Sequence, residues 1–101
     1  MSIGKHMPDM GDQMTIANLN AVALALRVLK AHQSGGLAEL AIQNLRLLAC
    51  NADVIGLNRD VDRAIDALLA ATGPQQYVNA LMRAESVTEG AITAAEAGPG
   101  Q

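Results

Sequence analysis

The chain of 101 residues has no Trp, no Phe, one Tyr and one Cys. Without large rings it cannot build the aromatic-rich core that sheets favour. The lone Cys50 cannot form an internal disulfide, which fits a reducing, cytoplasmic setting. Seven Lys and Arg against ten Asp and Glu give a formal net charge of −3, and the basic residues from Lys5 to Arg83 never form a run. Nucleic-acid binding needs a concentrated basic footprint, so no nucleic-acid partner is expected. Asn, Arg, Lys or Glu interrupts each apolar stretch well short of a membrane span, so no membrane partner is expected. Met1 to Thr15 is polar and broken by Gly4, Pro8 and Gly11, unlike a secretory signal. A Gly-rich phosphate loop and a paired metal-ligand motif are also missing, so the expectation is a non-enzymatic chain with no metal and no cofactor.

What remains is half hydrophobic and drawn almost wholly from Ala, Leu, Ile, Val and Met. Ala and Leu head the helix-propensity ranking, so the fold class is all-α. Residues 1–13 read as a flexible leader, 14–97 as one helical-bundle domain and 98–101 as a frayed tail. The His6-Met7 pair also fits a tag junction, with the natural start at Met7.

A first helix is predicted from about Thr15 to Gln33, stopped by Gly35-Gly36, and a second from Leu37 to about Val54, stopped by Gly56. Asn58 is the expected N-cap of a third, with Asp60 and Asp62 in its first turn, ending at Thr72 before Gly73-Pro74. A fourth opens at Pro74 or Gln75. Ser86, Glu89 and Gly90 resemble a capping box beside a breaker, which predicts a break or a kink near Ser86-Gly90. Short connections predict an antiparallel bundle of four helices, dimeric or higher.

Assembly is expected from the apolar arcs. The third helix gathers Val61, Ala64, Ile65, Leu68, Leu69 and Ala71 on one side, and Arg59, Asp62, Arg63 and Asp66 as a mutually paired face on the other. The fourth carries a narrow stripe of Tyr77, Ala80, Leu81, Ala84, Ala91 and Ile92. The first, by contrast, has two ridges: Leu19, Val22, Leu26 and Leu29, and beside them Ala17, Ala21, Leu24 and Val28. The second carries Leu37, Ala41, Leu45, Leu48 and Ala52, with Leu40, Leu47 and Val54 continuing round it. In a four-helix monomer a helix shows the core only about half its surface, so both have apolar surplus. The expected interface residues are Leu19, Val22, Leu24, Leu26, Val28, Leu40, Leu47 and Val54, and the expected partner is a second copy of the chain or another protein.

Four polar residues fall on apolar arcs: Asn18, His32, Asn44 and Asn51. The last two lie seven residues apart, where an Asn at a heptad seam fixes register, or where two amides at a core edge bond backbone or water. An alternative function is a ligand-binding bundle whose apolar pocket uses His32, Asn18 or Asn44 as polar contacts. His32-Gln33-Ser34-Gly35-Gly36 resembles the site of histidine phosphotransfer domains, which are also four-helix bundles. That resemblance implies phosphorylation of His32 with Gly36 clearing space for a response regulator, although Gly35 stands where the family has Lys. Met7, Met10 and Met14 beside His6 resemble the Met-rich segments of copper-handling proteins, although the motif occurs once. Cys50 lies near Arg46 without a base or a second Cys, and Glu85 and Glu89 lack the Glu-x-x-His pattern of di-iron bundles. The reading carried forward is an interaction or structural module that self-associates through its first two helices.

Overall fold

The computed structural model describes residues 10–97, with side chains from 15 onward. Among these residues there is no strand, and five helices follow one another: α1 (Met10–Ala31), α2 (Gly36–Cys50), α3 (Ala52–Ile55), α4 (Arg59–Leu69) and α5 (Pro74–Ala97). α1 packs against both α2 and α5, α4 packs against both α5 and α2, and the short α3 touches α1 and α2.

Each core contribution follows from a 3.6-residue period. α1 sends in Leu19, Val22, Leu26 and Leu29, α2 sends in Ala38, Ala41 and Leu45, and α4 sends in Val61, Ala64, Ile65 and Leu68. α5 adds Leu81 and Ala84, with Tyr77, Ala80, Ala91 and Ile92 half-buried along the same stripe. Fully burying one Leu, Ile or Val contributes about 1.5–3 kcal/mol. Six of the buried core residues are Ala, and the only aromatic ring packed against the core is the half-buried Tyr77 at its edge.

The ends of the helices follow local chemistry. Asn58 Oδ1 accepts hydrogen bonds from the backbone N–H groups of Asp60 (2.8 Å) and Val61 (3.2 Å), the N-cap expected there. Gly56 ends α3 in the left-handed conformation at φ 67°. Pro74 occupies the first position of α5, where its missing N–H is no loss. Just before it, the Thr72 N–H and hydroxyl both reach Gln76 Oε1, at 3.4 and 3.2 Å.

Five boundaries differ from expectation. α1 starts at Met10 rather than Thr15, taking in residues 10–13 of the predicted leader, and it ends at Ala31 rather than Gln33. The second predicted helix is two, because Asn51 interrupts it at φ −108°, ψ 16°. Its side chain bonds the carbonyl one turn back, an alternative that Asn offers the backbone. α4 ends at Leu69, three residues before Thr72. Finally, the break predicted near Ser86-Gly90 does not occur, and α5 runs unbroken for 24 residues. A helical Gly costs about 1 kcal/mol relative to Ala, and the packing of Val87, Ala91, Ile92 and Ala95 against the core outweighs it. The rest of the predicted leader and the tail at 98–101 lie outside the described residues.

Candidate functional site

The two ridges of α1 have different fates. Leu19, Val22 and Leu26, expected at an interface between chains, are fully buried inside their own chain, which corrects that assignment. The neighbouring ridge stays outside: Ala17, Ala21 and Leu24 are exposed and Val28 is half-buried. α2 divides likewise. Leu45 and Ala41 point into the core, whereas Leu37, Leu40 and Leu47 face solvent, and Val54 on α3 is 85% exposed.

These outer ridges border one groove of about 420 Å³ between α1 and α2, lined by residues that include Leu24, Val28, Leu37, Leu40, Asn44 and Leu47. None of its lining side chains is charged, and Asn44 is the single polar one. The charged residues of α2, Glu39 and Arg46, are exposed on its other flank, as is Asp53 on α3.

A regularity runs through this surface. Leu37, Leu40, Asn44, Leu47, Asn51 and Val54 follow one another at spacings of three, four, three, four and three, the positions of a heptad seam, and all six are exposed. The sequence carries this spacing openly. Leu37 belongs to this stripe rather than to the inward Ala41 and Leu45, and the two asparagines share it with the leucines.

The asparagines differ in their bonding. Asn51 Nδ2 donates to the Leu47 carbonyl at 2.8 Å. The Asn44 side chain makes no hydrogen bond to another described residue, whereas Asn51 bonds backbone as the core-edge reading has it, and both are exposed. Asn18 is half-buried on α1, and His32 is exposed beyond its end, where its N–H donates to the Val28 carbonyl at 2.8 Å. Asn18, His32 and Asn44 therefore do not converge on one pocket. His32 also does not lie on a helix as expected, but in the connection between α1 and α2.

The remaining chemistry is dispersed. Cys50 is exposed at the end of α2. Glu85 pairs with Lys30 at 3.7 Å, tying α1 to α5. Lys30 is largely solvated, which limits such a pair to about 1 kcal/mol or less. The charges of α4 do not pair with one another as expected, and Arg59, Arg63 and Asp66 are exposed. Asp62 is half-buried, with one carboxylate oxygen shielded from water and without a hydrogen-bond partner. Burial, then the like charges of Asp66 and Asp53, push its carboxyl above the ordinary aspartate range. Burial also raises the Tyr77 phenol.

Thr88 belongs to the apolar stripe of α5 although Thr counts as polar. It is fully buried there, and its hydroxyl has no hydrogen-bond partner. A second open groove of about 590 Å³ lies between α1 and α5 and is floored by Leu29, Tyr77 and Leu81. Among the described residues no group of three or more His, Cys, Asp or Glu is placed to hold a metal, and no helix is long and apolar enough to cross a membrane. His6 and Met7 of the methionine-rich segment lie outside the described residues, as do the side chains of Met10 and Met14. Comparison with protein-family models, curated proteins and solved structures returns no match.

Proposed function

We propose that this protein is a non-enzymatic helical interaction module that associates with a second copy of itself through the α1–α2 face. In this reading α1, α2 with α3, α4 and α5 form an antiparallel four-helix bundle, and the assembly is a dimer or a higher oligomer in the cytoplasm. The exposure of Cys50 suits a reducing compartment.

The observation that carries the proposal is the uncovered stripe of Leu24, Leu37, Leu40, Leu47 and Val54, each at least 54% exposed. Together these five side chains leave on the order of 600 Å² in water, the upper end of the largest apolar patch on a typical monomer. Two copies pressed together would bury about 1,200 Å², the lower bound for a specific, stable interface, before Ala17, Ala21, Val28 and Asn44 are added. A seam with heptad spacing is complementary to itself, and an uncharged groove presents no like charges to a copy of itself.

Light scattering over a range of concentrations tests the proposal. The expected mass is at least twice that of a single chain, and the double variant Leu40→Glu, Leu47→Glu should be monomeric with its helical content intact. A parent chain that stays monomeric at every concentration removes the proposal.

A further inference from the structure

Resting on that self-association, we infer that Asn44 sets the alignment of the two copies, with Asn44 of each chain facing Asn44 of the other across the twofold axis.

The argument begins with which amides need a partner. Asn51 already donates its amide to the Leu47 carbonyl at 2.8 Å, at the interruption between α2 and α3. Asn44 has no such bond, sits within the unbroken α2, and is the one polar group lining the α1–α2 groove. Covering the groove therefore withdraws one unpaired primary amide per chain from water.

A second copy decides what that amide meets. In a shifted alignment Asn44 faces Leu40 or Leu47, and two amides are buried without partners, or it faces Asn51, whose amide is already engaged by the Leu47 carbonyl. Each buried unpaired amide weakens association by about ten- to a hundredfold. When Asn44 faces its own equivalent, each carboxamide donates an N–H to the other's oxygen, and the same symmetry that forms one bond forms both. An amide carries both a donor and an acceptor, so it is self-complementary in a way that Lys or Glu is not. The surrounding Leu37, Leu40 and Leu47 supply attraction without discriminating between alignments, because Leu packs on Leu in any of them. Asn44 supplies the discrimination, at some loss of affinity, as a polar residue in an otherwise apolar seam does.

The experiment uses the full chain with Cys50→Ala, so that the introduced thiol is the only one. Under mild oxidation Asn44→Cys should give a covalent dimer as the main species, since facing positions bring the Cα atoms within disulfide reach of about 4.4–6.8 Å. Arg46→Cys, on the polar flank, should stay unlinked. Without oxidation, Asn44→Leu should associate about tenfold more tightly than the parent and lose its single mass, giving a mixture of oligomers on light scattering. Asn44 is exposed, so neither variant threatens the fold, and far-UV circular dichroism verifies this. A parent that assembles while Asn44→Cys links no better than Arg46→Cys overturns this inference alone. A parent that never assembles overturns the self-association itself.

Discussion

The Leu47 carbonyl accepts a hydrogen bond from the Asn51 side chain at 2.8 Å, and it also receives the Asn51 backbone N–H at 3.2 Å. One acceptor thus serves two donors of the same residue at the point where α2 gives way to α3. Asn51→Ala removes the competing amide and substitutes the best helix former. The expected result is one continuous helix through position 51, with a stability gain of up to about 0.7 kcal/mol. A denaturant titration and the far-UV helical signal measure it, and a loss of helicity would contradict the assignment.

Neighbouring leucines on α2 should respond in opposite ways. Leu45 is fully buried and Leu47 is 62% exposed. Leu45→Ala should destabilise the chain by about 2–5 kcal/mol through lost burial and the cavity left behind. Leu47→Ala should change the stability of the separated chain by no more than about 0.5 kcal/mol and, under the proposed self-association, raise the concentration needed for assembly. Unfolding curves recorded at low concentration separate the two effects.

Two glycines offer a contrast of sign. Gly56 sits at φ 67°, and a Cβ built there would lie 3.5 Å from Thr15 Oγ1, an ordinary contact. The cost of Gly56→Ala is therefore conformational, about 1–2 kcal/mol. Gly90 is helical with open space where a Cβ would go, so Gly90→Ala should stabilise by about 0.5–1 kcal/mol. Thermal melts of the two variants should move to opposite sides of the parent.

Asp62 predicts a pH dependence. Its carboxyl is raised above its ordinary value by burial first and by Asp66 and Asp53 after that. Between the ordinary and raised values the folded chain holds a proton that the unfolded chain has released. The contribution to stability is therefore complete below the ordinary aspartate pKa and is lost as pH rises through the folded one. Asp62→Asn should flatten this part of the profile and be more stable than the parent at neutral pH. Melting temperatures across the acid range provide the check, and an unchanged slope would refute the assignment to Asp62.

The sequence makes α4 legible because its charged and apolar residues separate cleanly, and Val61, Ala64, Ile65 and Leu68 are all buried as their spacing requires. α1 is harder, since Leu19-Val22-Leu26-Leu29 and Ala17-Ala21-Leu24-Val28 are both helical ridges of apolar residues. Only the packing partners decide which turns inward, and α2 and α5 flank the first. The apolar surplus is therefore visible in the sequence, and its carriers in part: Leu24, Leu40, Leu47 and Val54 are exposed as expected, whereas Leu19, Val22 and Leu26 are buried. The helix ends show the same limit. Asn58 caps as its residue type dictates, but Gly90 was overruled by the side chains packed on either side of it. Gly11 and Asp12 are poor helix formers and hide the start of α1 in the sequence, yet the helix reaches Met10.

Tyr77 is the sole aromatic residue of the chain, half-buried near the start of α5 in the α1–α5 groove. Intrinsic fluorescence is consequently a one-site probe that follows the loosening of that end during denaturation. An event confined to the α1–α2 groove leaves its emission unchanged, so a silent spectrum is no argument against complex formation.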